Sequence, residues 1–253
     1  MRSASIKRWV IGAGALVVLA APGSAHARWS DAPLPPTRGA REMFLAKADS
    51  QAKDAARDSA KDEAMMTALL GRFAKAPGIF ARYKEEKHIA LLQAPLVNEG
   101  TIHFAPPGRL ARHTTKPIAS SLVIDDKKVT FGGAEGSESL DLGTNPVARA
   151  FVDSFVMLLA GNRPGLERYF TIGFSAVRGP KAAPDAWHLV LVPRTSPMDK
   201  VIKEMTVDGN GLAIKEMVVR ETSGDWTRSV FSDVDTNHPY DAAEQSRVFR
   251  VQK

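Results

Sequence analysis

The chain has 253 residues, 44% hydrophobic and 25% charged, which is enough to bury one sizeable core and favours one folded domain over two. It contains no cysteine, and this excludes a disulfide framework, zinc–thiolate sites and thiol catalysis. The formal charge of +6 shrinks once Arg2, Lys7 and Arg8 of the N-terminal stretch are set aside, leaving 31 basic against 28 acidic residues, a net +3 too small and dispersed for a nucleic-acid surface.

Met1 to Arg8 is a basic opening, Trp9 to Ala21 is an uncharged apolar run, and Ala25-His26-Ala27 is a small-x-small step of the kind signal peptidase accepts. The pattern predicts a cleaved leader over residues 1–27, cut between Ala27 and Arg28, and a periplasmic location. The 13-residue run falls short of the roughly 20 apolar residues that span hydrocarbon, which argues against a retained anchor. No cysteine follows the cut, so the chain is not expected to carry a lipid anchor, and no later apolar run is expected to hold it in a membrane.

Residues 28–63 read as a lead-in. Pro33, Pro35 and Pro36 predict extended chain as far as Gly39. Lys47 to Glu63 then interleaves acids and bases with almost no large apolar residue, as an exposed charged helix or a tether would. Met65 or Met66, Leu69 or Leu70, and Phe73 share one face at helical spacing, and Pro77-Gly78 stops that helix. Its stripe is read as docking on a sheet in preference to a membrane.

From Ile79 the pattern changes to hairpin strands punctuated by prolines. They run from Ile79 to Leu92, through Pro95-Leu96, Gly100-Thr101-Ile102-His103-Phe104, Pro106-Pro107-Gly108-Arg109-Leu110 and Pro117, to Ser121-Leu122-Val123-Ile124 closing on Asp125-Asp126. Gly132 to Glu138 is glycine-rich, but it is acidic and precedes no Lys-Ser/Thr pair, so it reads as a flexible loop and not as a phosphate cradle.

The clearest helix is predicted over residues 146–160, with Asn145 as its N-cap and Pro146 at the first helical position. Val147, Phe151, Phe155 and Leu158 form one stripe, which Val152, Val156 and Leu159 widen, and Gly161-Asn162 and Pro164-Gly165 end it. So wide an apolar face requires a partner to bury it. Trp187 to Pro193, Val201 to Val207, Leu212 to Arg220 and Trp226 to Val234 then read as strands whose connections, Asp208-Gly209-Asn210-Gly211 above all, are too short for helical crossovers. Two strand groups around a helical insert predict an α+β fold. It would be one strongly curved antiparallel sheet, an incomplete β-barrel, with helices covering its concave apolar face.

No catalytic or metal-ligating set emerges. His88, His103, His113, His188 and His238 lack the spacing that puts two on one helical face, and His103 and His188 alternate with apolar strand residues as core-edge or solvent-facing groups do. Ser175 lacks the second glycine of a nucleophile elbow, and Asp233 to Asn237 lacks the glycine and glutamate that would continue a calcium loop, so it reads as a strand end. The chain is therefore read as a non-enzyme with no cofactor and no metal.

The order of elements over residues 79–131 resembles the LolA-like family, periplasmic carriers of lipoproteins to the bacterial outer membrane, and the resemblance extends over roughly residues 64–250, with residues 64–253 forming the half-barrel domain. It implies an apolar cavity beneath helices. Tyr83, Ile102, Phe104, Leu110, Leu122, Ile124 and Phe131 would line it from the strands, and Phe151, Phe155 and Leu158 from the covering helix. The implied cargo is a lipid, an acylated molecule or a lipoprotein, passed to or from an inner-membrane transporter and an outer-membrane acceptor by a monomer that binds no nucleic acid. In that family an important Arg precedes the proline after the first cavity strand. Here Pro106 stands there, with Arg109 and Arg112 displaced, and Leu110, His113 and Thr114 replace the usual aromatics of the next strand, so the cargo could equally be a lipidic or aryl-acyl product. The alternatives are a periplasmic hydrolase acting on an acyl or envelope substrate and a non-catalytic envelope assembly factor.

Overall fold

The computed structural model describes residues 38–125 and 127–251; the leader, its cut at Ala27 and Arg28, and most of the proline-containing lead-in lie outside the described residues. The chain divides into two compact units between Lys61 and Asp62. The described part of the first unit is helical and belongs to α1 (Arg38–Phe73), with Asp58 and Lys61 paired at 3.6 Å. In the second unit the last turns of the same helix bury Met66, Leu69, Leu70 and Phe73, a set spaced at three and four residues.

The second unit continues with six strands, β1 (Ile79–His88), β2 (Leu96–Ala105), β3 (Arg109–Lys116), β4 (Ser120–Asp125), β5 (Lys128–Gly133) and β6 (Gly136–Asp141). Two helices, α2 (Pro146–Leu159) and α3 (Arg163–Tyr169), lead to β7 (Phe170–Ala176), β8 (Ala186–Pro193), β9 (Ile202–Asn210), β10 (Ala213–Glu221) and β11 (Trp226–Asp235), and α4 (Ala242–Val248) closes the chain. All eleven strands form one antiparallel sheet in the order β6-β5-β4-β3-β2-β1-β11-β10-β9-β8-β7. The first and last strands thus pair at its centre. β6 and β7 are its two edges and do not pair, so the barrel stays open, and the helical insert connects one edge to the other.

Local chemistry accounts for the punctuation. Asn145 caps α2 by accepting a hydrogen bond from the Ala148 amide, with Pro146 following it. Gly209 lies so close under Trp187 that a Cβ there would stand 2.2 Å from the indole Cζ2, and the indole N–H donates to the Gly211 carbonyl at 2.8 Å. Two expectations need correction, and one strand was not expected. The stretch from Gly132 to Glu138 is the β5–β6 hairpin, made possible by Gly136 at φ +117°. Pro164-Gly165 does not end the helical insert but sits in the first turn of α3, which Asn162 caps. Ser175 lies within β7, a strand that short apolar spacing did not reveal.

The two faces of the sheet differ. One packs the main core, where Phe104, Leu110, Ile124 and Val129 meet Leu158 and Leu159 of α2 and the end of α1. The other carries a second core of Ala105, Ala111, Val123, Tyr240, Val248 and Phe249, made by α4 and the segments flanking it.

Candidate functional site

Register across the first strands sorts the inner, concave face into rows. Ile79 opposes Phe104, Phe104 opposes Leu110, Leu110 opposes Ile124, and Ile124 opposes Val129, and all five are buried. Two residues along, the next row is Ala81, Ile102, Arg112, Leu122 and Phe131. Ile102 and Leu122 are partly buried against the core, whereas Phe131 is 45% exposed. The third row holds Tyr83, Gly100 and Thr114. The first row is therefore closed throughout, whereas the next two are only partly buried apart from Ala81 and Tyr83 on β1.

A gradient of burial runs along α2. Phe151, Phe155 and Leu158 share one stripe, with the rings of Phe151 and Phe155 edge to face at 5.1 Å. Leu158 is 4% exposed, Phe155 is partly buried and Phe151 is 38% exposed. One end of the stripe thus belongs to the core and the other end reaches solvent. Of the ten residues expected to line a cavity, Phe104, Leu110, Ile124 and Leu158 are core residues; Ile102, Leu122 and Phe155 lie at its margin; Phe131 and Phe151 are open.

Tyr83 is the tenth, and its role is more polar than its ring suggested. It is buried, its hydroxyl is 2.8 Å from the Thr114 hydroxyl, and the Arg112 guanidinium lies 4.5 Å above its ring. Arg112 donates to Glu85 at 2.8 Å, and Glu85 also accepts from Asn98 at 3.2 Å and Ser229 at 3.4 Å. Burial works against the charge of Arg112, but Glu85 and Tyr83 outweigh it and raise its pKa above the ordinary value. Beyond this cluster Lys87 pairs with Glu221 at 3.3 Å. The concave face is thus apolar at its helix-covered end and self-neutralised at the other.

A separate cavity of about 220 Å³ opens at the start of α2, bounded by Pro146, Arg149, Ala150, Tyr169 and residues Thr195 to Met198. It is smaller than the about 300–1,000 Å³ usual for organic-ligand pockets, and none of the ten expected residues borders it.

The histidines serve the other face. His103 contacts the Tyr240 hydroxyl at 3.1 Å and the Thr101 hydroxyl at 3.0 Å, and His113 contacts the Ser121 hydroxyl and donates to the Val248 carbonyl at 2.8 Å. Burial, then the nearby His113, His238 and Arg247, lowers the His103 pKa to about 4. His188 is part-buried and pairs with Asp208 at 2.7 Å. Among the described residues no three His, Asp or Glu side chains converge as a metal site would require. No described helix is long and apolar enough to cross a membrane.

Sequence reasoning missed Glu85, Asn98 and Ser229 around Arg112. The available signal was the charged run Lys84-Glu85-Glu86-Lys87 in the second half of β1.

The model of the family described as outer membrane lipoprotein carrier protein LolA matches residues 75–246. Similar solved structures include a DUF1329 family protein from Desulfovibrio piger, 9% identical with a TM-score of 0.43, covering 74% of this chain and 98% of that one. The MucA/MucB complex of Pseudomonas aeruginosa aligns at 13% identity and a TM-score of 0.42, over 71% of this chain and 59% of that one. A LolA superfamily protein from Nitrosomonas europaea aligns at 9% identity and a TM-score of 0.36, over 68% of this chain and 93% of that one. No curated protein sequence matches the chain. Because the family match spans more than half of its length, the chain belongs to the family of the outer membrane lipoprotein carrier protein LolA.

Proposed function

We propose that this protein is a periplasmic carrier that holds a lipid, an acyl chain or the acylated end of a lipoprotein against the concave face and moves it between membranes, or to and from an exporter. The observation that carries the reading is the stripe on α2, buried at Leu158 and open at Phe151, beside a sheet whose matching row ends in the exposed Phe131. An apolar surface that leaves the core and reaches water calls for an apolar occupant. Each acyl methylene buried is worth about 0.8 kcal/mol, so a sixteen-carbon chain offers roughly 12 kcal/mol before ordering costs.

Affinity of that size would trap the cargo unless the cover competes for the same surface. α2 is placed to do so, since its contacts with the sheet and the cargo's contacts would use the same side chains. An inner-membrane transporter and an outer-membrane acceptor are the partners this cycle requires. The reading contains no catalytic step, and His103 and His113, the buried histidines, are engaged in hydrogen bonds on the opposite face.

Native mass spectrometry and lipid extraction of the protein purified from its own periplasm test the proposal. Co-purifying acylated species support it. Protein that is clean of lipid, and that takes up none from vesicles, overturns it.

A further inference from the structure

The polar cluster on the concave face bears on what kind of acyl compound the site accepts. Arg112 stands in register between Ile102 and Leu122, the two partly buried apolar residues of the open row. Its head is fixed from two sides, by the Tyr83 ring 4.5 Å beneath it and by Glu85 at 2.8 Å. A guanidinium has five N–H donors, and Glu85 and Tyr83 are its only polar contacts among the described residues. The side chain is 29% exposed, on the face that carries the apolar row.

The charge of this cluster is already matched. Arg112 is balanced by Glu85 and Lys87 by Glu221, and both acids are more buried than their partners, at 16% exposure each. A carboxylate that arrives at Arg112 also feels the like charge of Glu85 on the same guanidinium, which offsets the attraction and leaves the cost of its own desolvation uncompensated. An uncharged acceptor receives the hydrogen bonds without that penalty.

We propose that Arg112 is a specificity residue of the cargo site, donating to the ester or amide carbonyl that joins an acyl chain to its head group, while Glu85 disfavours free carboxylates. This rests on the carrier reading above. It makes acyl esters and acyl amides the preferred cargo over free fatty acids. Specificity then comes from a repulsive element beside an attractive one.

The test is dye displacement on the full chain with two twelve-carbon probes, monolaurin as the neutral ester and laurate as the free acid, near neutral pH. Wild type is expected to prefer monolaurin by about tenfold. In Glu85→Gln the like charge is gone, so the ratio of the two affinities should shift about tenfold toward laurate. In Arg112→Gln monolaurin should lose about tenfold. Equal affinities in wild type, or an unchanged ratio in a folded Glu85→Gln, overturn the inference while leaving the carrier reading intact. If neither probe binds wild type, both fall. Should Glu85→Gln fail to fold, the wild-type ratio and the Arg112→Gln titration still decide.

Discussion

The His103 ring nitrogen Nδ1 stands 3.1 Å from the hydroxyl of Tyr240, joining a strand near the centre of the sheet to a segment 137 residues later. Tyr240 spends its own proton on the Ile79 carbonyl at 2.9 Å, so it accepts from His103, and the neutral imidazole must carry its hydrogen on Nδ1. His113 has the opposite tautomer, because Nε2 faces the Val248 carbonyl, which only accepts. Two neutral histidines thus fasten the C-terminal segment to the outer face.

Acid should loosen this attachment. An unfolded chain protonates His103 as pH falls through its ordinary 6.5, but the folded protein resists until about 4. The imidazole therefore leaves stability unchanged above pH 6.5 and lowers it progressively between 6.5 and 4, by on the order of 3 kcal/mol in total. His113, lowered by burial against a weaker opposing hydrogen bond to Val248, acts in the same direction. Urea denaturation at about pH 7.5 and about pH 4.5 should show the loss in wild type and a smaller one in His103→Gln. Equal losses in the two proteins would assign the acid sensitivity elsewhere.

The same attachment depends on a missing side chain. A Cβ on Gly132 would stand 1.7 Å from Val251 Cγ1, so Gly132→Ala must displace the segment that follows α4. A cost of about 1–3 kcal/mol is expected, the range for overpacking a close contact. Val251→Ala in the same chain should recover most of it. Amide hydrogen exchange over residues 242–248 checks where the effect falls, and protection equal to wild type in Gly132→Ala would contradict it.

How far these features could be read in advance depended on the range of the interactions that make them. Asn145 and Pro146 were legible because cap chemistry acts within one turn, and alternation along a strand put Ile102 on the face of Phe104 and Leu122 on the face of Ile124. α4 was not legible. Its Asp241 cap is ordinary, but the helix has seven residues and is held by partners such as Ala111 and Val123, far away in the chain. Nor could the stripe of α2 disclose that Phe151 is open and Leu158 closed, since that depends on where the helix leaves the core. Tyr83 looked like cavity lining because its ring is apolar. Its polar setting follows from β2–β3 register, which shifts between Glu99 and Gly100 and brings Thr114 and Arg112 beside it.

The cap on α2 offers a way to loosen the cover without touching the groove. Asn145→Ala removes the acceptor for the Ala148 amide and should cost about 1 kcal/mol. If α2 is the moving cover, this variant should also release bound dye faster than wild type at unchanged probe chemistry. A destabilised protein with unaltered release kinetics would separate the helix from the gating role.

The stripe itself supplies the sharpest contrast, because its residues differ in burial while sharing one face and similar chemistry. Leu158→Ala removes a side chain that is 4% exposed within the main core, and a loss of about 2–5 kcal/mol is the usual result of opening such a space. Phe151→Glu acts at a ring that is 38% exposed, where a carboxylate can turn to water and escape the penalty of burial. It should therefore melt near wild type while weakening retention of an acyl probe, since it places charge where the chain would lie. Phe155 stands between them, partly buried against the core and 5.1 Å from the Phe151 ring. Phe155→Ala is expected to lower both stability and retention. The order of effects on stability, Leu158 then Phe155 then Phe151, should run opposite to the order of their specific effects on binding. Melting by circular dichroism beside dye displacement on the three variants measures both orders. If Phe151→Glu binds as wild type does, the open end of the stripe is surface, and the acyl site has to be sought elsewhere.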